Sequence, residues 1–348
     1  MFIAPDNPDL QYSGRIDFDN PKAPEFVFPC SYVRMCFTGT FINAVVENHR
    51  AYFSSYLGFI IDGKQDKVKI PDEGKATIEL ASGLEDKAHE IILFKRMDAC
   101  HVFLFHGFEV ADGAVISIPE AKPERRIEVY GDSVSAGEVS EAVDYVGKAD
   151  PEHDGEFSNS YYSYSWMTAR KLNAEIHDIA QGGIALLHNT GWFAGPECIG
   201  MEEVYDKIQY NTQLETPKKW DFAKYRPHVV IVAIGQNDSN PEDYMEADYE
   251  GDKAKHWRSE YKAFILRLRE IYPKAAIILT TTILGHNENW DKAIDQVSHE
   301  LGDTNVYHFL YTDNGTGTPG HIRIPEAERM SDELAAFIDS LGKEIWQD

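Results

Sequence analysis

Five short apolar runs constrain this chain more than any other feature: Ile127–Tyr130, Glu175–Ala180, Val229–Gly235, Ala276–Thr282 and Val306–Tyr311. Each is too short for a helix and largely continuous in its apolar character, the pattern of a strand buried on both faces of a parallel sheet. Amphipathic segments lie between them. Tyr161–Leu172 leads into the second run, and Lys255–Tyr272 places Trp257, Tyr261, Phe264, Leu268 and Ile271 at helical spacing. A last helix opens with Pro325 and carries Met330, Leu334, Phe337, Ile338 and Leu341. The alternation predicts a doubly wound parallel-sheet α/β domain over residues 121–348, with its reactive groups at the carboxyl ends of the strands.

Residues 1–120 read differently. Between Pro24 and Pro119, the runs Tyr32–Phe37, Phe41–Val46, Tyr56–Ile61 and Glu90–Phe94 are β-branched, aromatic or otherwise apolar. The turn signals Asp62-Gly63, Glu73-Gly74, Ser82-Gly83 and Asp112-Gly113 break the pattern, and no amphipathic helix intervenes. This predicts an N-terminal all-β sandwich of jelly-roll type. The boundary falls where Pro119-Glu120-Ala121-Lys122-Pro123 interrupts the pattern. His101 and His106 lie in an apolar-aromatic run and read as packed side chains.

The balance of 33 basic against 58 acidic residues, a formal charge of −25, argues against nucleic acid or an anionic membrane as partner, since both demand a basic face. No apolar run approaches a membrane span, and Met1–Asp6 shows no basic or apolar leader. Cys30, Cys36, Cys100 and Cys198 have neither zinc spacing nor disulfide density. The expectation is a cytoplasmic protein with free, mostly buried thiols. No dinucleotide-binding loop, Walker loop, His-Glu-X-X-His helix or Gly-X-Ser-X-Gly elbow is present, so no cofactor and no metal is called for. Self-association is left open.

The strand-end rule makes a test of function. Ile127–Tyr130 runs into Gly131-Asp132-Ser133, where a turn would lift the Ser133 hydroxyl off the strand and leave its N–H free. A helix cap is the plainer role for such a serine. Yet Gly182-Gly183 follow the second run, Gly235-Gln236-Asn237-Asp238 follow the third, and His321 follows the last, just before the final helix. Groups of the types acyl transfer needs all fall where this fold would collect them.

In that order these blocks resemble those of the SGNH, or GDSL, hydrolases, and His321 and Met330 keep the family's spacing. Arg126–Ser133, the segment Tyr164–Glu175 and the front-domain stretches Phe37–Thr40, Ile61–Gly63, Leu80–Leu84 and Phe94–Asp98 are further similar to carbohydrate esterase family two. The resemblance covers most of residues 24 to 342. It implies a serine esterase that removes acetyl groups from acetylated plant polysaccharides or oligosaccharides of the xylan or mannan type, through an acyl-enzyme. By position, Ser133 would be the nucleophile and His321 the general base. The N–H groups of Ser133 and Gly183, with the Asn237 amide, would form the oxyanion hole, Gly182 being the neighbouring choice.

Two departures stand out. Where the family commonly has an aspartate shortly before the histidine, this chain has Thr318 and Pro319. The reading is therefore a Ser133–His321 dyad with the ring oriented by a carbonyl of Gly317–Pro319, and Asp313 as the rival orienting group. The second departure is a polar insert, Glu138–Ser160, read as shaping the cleft, acting as a lid, or forming a solvated loop. The alternatives in function are a general short-chain carboxylesterase or lysophospholipase, and a carbohydrate-binding protein whose catalytic site has decayed.

Overall fold

Strict alternation builds the front of the molecule. Along the strand Tyr32–Arg50, Val33, Met35 and Phe37 are buried while Tyr32, Arg34 and Cys36 are only partly so, which turns one face into a core. The computed structural model describes residues 1–347. In it this 19-residue strand pairs antiparallel with the 23-residue strand Glu73–Lys95, from Tyr32 opposite Phe94 to His49 opposite Glu73. Sequence reading separates Tyr32–Phe37 from Phe41–Val46, but they form one strand. Its register shifts between Gly39, opposite Lys87, and Phe41, opposite Ser82. Ser82-Gly83 therefore sits at an irregularity within a long strand, not at a hairpin turn. Such irregularities bend a sheet. Here a ten-stranded antiparallel sheet curls around Phe26, Val33, Phe37, Ile91, Phe105 and Phe108. The expected jelly roll takes this form.

The rear of the molecule is the expected α/β layer structure. Its five parallel strands run in the order Ala174–Ala180, Arg125–Gly131, Val229–Ala233, Ala276–Thr280, Val306–His308. All five residues of Val229–Ala233 and of Ala276–Thr280 are buried, which accounts for their unbroken apolar runs. The helices Asp252–Ile271 and Glu288–Leu301 cover one face with Trp257, Phe264, Trp290 and Ile294. Tyr164–Lys171 and Ile324–Ser340 cover the other with Trp166, Met167, Met330 and Leu334. No helix among the described residues is long and apolar enough to cross a membrane.

The two sheets share their cores. Val27, Phe28, Ala99 and Val102 from the front pack in one cluster with Tyr130 and Ile179, while Phe94 packs with Trp166. An ion pair also crosses the junction. Arg15 donates to Glu128 Oε1 at 3.0 Å and to the Tyr130 hydroxyl at 2.9 Å, with both charged side chains fully buried. Its other terminal nitrogen donates to the carbonyls of Tyr205 and Lys207.

Removing one member of such a pair leaves a buried charge unpaired, which costs more than the pair itself contributes. Arg15→Ala should lower unfolding free energy in a denaturant titration by about 3–5 kcal/mol. Adding Glu128→Gln should recover part of that loss. A loss under ~1 kcal/mol for the single variant, the size of an exposed pair, would contradict the burial.

Candidate active site

The strand order reverses between Arg125–Gly131 and Val229–Ala233, and Gly131 pairs with Ala233 at their carboxyl ends. A crevice opens at such a switch point. After Gly131 the chain turns at Asp132, whose extended backbone and carboxylate cap the short helix Ser133–Ala136 by accepting from Val134 N. Ser133 heads that helix and is 5% exposed. Its hydroxyl donates to His321 Nε2 at 2.8 Å.

The far side of the imidazole corrects the sequence reading. His321 Nδ1 donates to Asp150 Oδ2 at 2.5 Å, and the His321 backbone N–H donates to Asp150 Oδ1 at 2.8 Å. No carbonyl of Gly317–Pro319 holds the ring; that of Thr318 accepts from Gly285 N instead. Asp313 pairs with Arg329 at 3.1 Å. The reason is steric. A Cβ on Gly320 would lie 2.5 Å from the Lys148 carbonyl and 2.7 Å from Asp150 Oδ1. Glycine beside the histidine thus opens the space into which the insert brings its own carboxylate.

That insert is clamped, not loose. From the front sheet, Arg96 donates to the Ser158 carbonyl at 3.1 Å and pairs with Glu141 at 2.9 Å. Lys67 reaches Glu141 at 2.7 Å, and Ser54 binds Asp154 through its N–H and hydroxyl. From the rear, Ile324 N donates to the Ser140 carbonyl, and Gly147 N donates to Glu326. Arg323, fully buried, lies 2.9 Å from Asp150 Oδ1.

On the opposite side of Ser133 stand the other expected groups. The Asn237 amide donates to the Ile184 carbonyl at 3.0 Å and to Asp132 at 3.2 Å, so its orientation is set from two sides. Gln236 braces the same Asp132 carboxylate at 2.6 Å. Asp238 holds the loop that follows Gly183 by accepting from Leu186 N and Leu187 N. Of the two glycines, Gly182 has its N–H taken by Asp98 Oδ2 at 2.7 Å. The N–H of Gly183 has no acceptor among the described residues. Asp98 comes from the turn between the front strands Glu73–Lys95 and His101–Val110, and also accepts from Gln181 at 2.7 Å.

Ser133, Gly183, Asn237 and His321 line one cavity of about 540 Å³, with Tyr52, Phe53, Met97 and Asp98 of the front domain in its wall. Trp192, 67% exposed, stands at its edge. Burial pushes Asp132 up to about 6 and Glu138 also to about 6. For His321 burial acts downward, but the carboxylates of Glu138 and Asp150 outweigh it and raise the ring to about 8. Asp150 is held below the usual carboxylate range: burial opposes this, and its bonds to His321 and Arg323 prevail. Outside the expected set are Asp150, Asp98 and Glu138. His101 is fully buried, as expected of a packed side chain, and His106 bonds Glu47.

A family model described as "Carbohydrate esterase 2 N-terminal" matches residues 12–119. The chain is 31% identical over 345 residues to a cellulase/esterase, CelE, of Acetivibrio thermocellus, a match that takes in 96% of this chain but 39% of that protein. It thus spans well under half of that relative. It is 26% identical over 302 residues, 87% of this chain and 78% of the other, to an acetylxylan esterase / glucomannan deacetylase of Cellvibrio japonicus. A solved family two carbohydrate esterase from Clostridium thermocellum, in complex with cellohexaose, superposes with a TM-score of 0.80 at 27% identity, covering 97% of this chain and all of that one.

The paired carboxylates make a prediction about the ring itself. In an NMR titration the His321 imidazole should lose its proton near pH 8, above the ordinary value of about 6.5. Asp150→Asn removes a charge that favours the imidazolium, so the midpoint should fall. A midpoint unmoved by that substitution would contradict the contact.

Proposed function

This chain belongs to carbohydrate esterase family two, within the SGNH hydrolases, and from the site that it carries we propose how it acts: as a serine esterase that removes acetyl groups from acetylated polysaccharides or oligosaccharides of the xylan or mannan type. The observation that carries the mechanism is the unbroken series of hydrogen bonds from Ser133 through His321 to Asp150. His321 Nε2 takes the proton as Ser133 Oγ attacks the acetyl carbonyl. Asp150 keeps the remaining ring proton on Nδ1 and stabilises the imidazolium. The oxyanion is received by the N–H groups of Ser133 and Gly183, and by Asn237 Nδ2 once it exchanges the longer of its two bonds, the one to Asp132 at 3.2 Å, for the oxyanion. His321 then gives its proton to the departing sugar oxygen, and the same groups run in reverse with water to release acetate.

The leaving group's identity is supported from two sides. One relative is named an acetylxylan esterase / glucomannan deacetylase, and a similar solved esterase is in complex with cellohexaose. The broadly exposed Trp192 offers a flat aromatic face at the cavity edge, a surface suited to the C–H face of a pyranose. A decayed, purely binding protein is disfavoured, because the acid that seemed missing is supplied by Asp150.

Acetate release from acetylated xylo- and manno-oligosaccharides, followed by mass spectrometry, tests the reading. Ser133→Ala should lose on the order of 10⁶ in kcat. Asp150→Asn should lose roughly 10⁴, whereas Asp313→Asn, tied to Arg329 away from the ring, should lose little. A severe loss at Asp313 with a mild one at Asp150 would reverse the assignment of the acid.

A further inference from the structure

Glu138 is the one carboxylate at this site for which the mechanism has no use. It follows the helix that begins at Ser133, and its backbone N–H donates to the Ser133 carbonyl at 2.9 Å, which ties its place to that of the nucleophile. Its side chain lines the cavity and is only 22% exposed. Asp132, Asp150 and Asp98 each receive two or more hydrogen bonds. Neither oxygen of Glu138 receives one from any described residue, and its nearest positive partner is His321 Nε2 at 3.9 Å. Its carboxylate therefore faces the cavity with no protein donor engaged, open to a donor on a bound substrate.

We propose that Glu138 is a specificity-determining residue that accepts a hydrogen bond from a free hydroxyl neighbouring the scissile ester on the same sugar. The proposal rests on the sugar-ester reading above. The departing oxygen must come to His321 Nε2, the nitrogen that Glu138 faces. The gap of 3.9 Å is wider than one hydrogen bond and narrower than two in line. It suits a pair of oxygens on adjacent carbons, one meeting Nε2 and the other the carboxylate. An acetylated neighbour offers no donor and puts an acceptor against a charge. Space around Glu138 is reserved as well. A Cβ on Gly182 would lie 2.9 Å from Glu138 Oε2 and 2.7 Å from Asp98 Oδ2, so a side chain there would displace one of the two carboxylates.

The test compares wild type and Glu138→Gln by kcat/KM on three substrates: p-nitrophenyl acetate, a mono-O-acetyl methyl glycoside, and the same glycoside fully acetylated. Wild type should prefer the mono-acetylated sugar. In the variant that preference should shrink ~10-fold or more, the worth of a hydrogen bond to a charged group. The acid limb of the p-nitrophenyl acetate profile should also move to lower pH. The other charges facing this pair, Asp98, Asp132, Asp150, His153 and Arg323, are retained in the variant. Glu138→Asp, which keeps the charge and withdraws it, should lose selectivity while holding the acid limb near that of wild type. Unchanged selectivity in both variants, or an equal fall on all three substrates, would overturn the role of Glu138 and leave the sugar-ester reading standing. A wild type that cleaves p-nitrophenyl acetate but neither glycoside would overturn the sugar-ester reading and this proposal with it.

Discussion

An imidazole that must face a serine with one nitrogen has to be held by the other, and here that hold spans 171 positions of sequence, from Asp150 to His321. The rest of the site depends on it. Asp150 lies on an insert with almost no regular structure of its own beyond a short 3₁₀ turn, Val143–Tyr145. Its placement therefore comes from what grips the insert: Ser54, Lys67 and Arg96 on one side, Glu326, Ile324 and Arg323 on the other. Gly320 completes the fit by having no side chain where Lys148 and Asp150 must pass.

This makes the front sheet part of the catalytic construction. One turn of it, Lys95 to Asp98, works in three directions. Arg96 holds the insert, Asp98 engages the N–H of Gly182 so that the adjacent Gly183 faces the cleft, and Lys95 ties the turn together by donating to the carbonyls of Met97 and Asp98. Burial pushes that lysine down to about 8. The buried Arg15–Glu128 pair and the shared apolar clusters keep the two sheets in the register that these contacts require.

The parallel strands were legible in sequence because burial on both faces leaves no polar gap: Ala276–Thr280 and Val229–Ala233 end within two residues of where the apolar runs do. The front strands were over-divided, since a glycine such as Gly39 looks the same at a bulge as at a turn. The helix Glu288–Leu301 was passed over even though Asn287 caps it and Trp290, Ala293, Ile294 and Val297 make its buried stripe. At the site, Ser133, Gly183, Asn237 and His321 were legible through their order at strand ends. Asp150 was not. It is one acidic residue among several in the insert, along with Asp144, Glu152, Asp154 and Glu156. No local pattern says which of them turns toward a histidine so far along the chain. The absent aspartate and the extra acidic loop are two halves of one arrangement, and only their packing joins them.

The front sheet places the acid through the insert. A double-mutant cycle between Arg96, which does not touch the reacting groups, and Asp150 tests it most directly. Arg96→Met, in protein that remains folded by circular dichroism, should lower kcat through the same acid. Combined with Asp150→Asn, it should then add almost nothing to the loss that Asp150→Asn causes alone. Losses that multiply, as they do for independent sites, would contradict it.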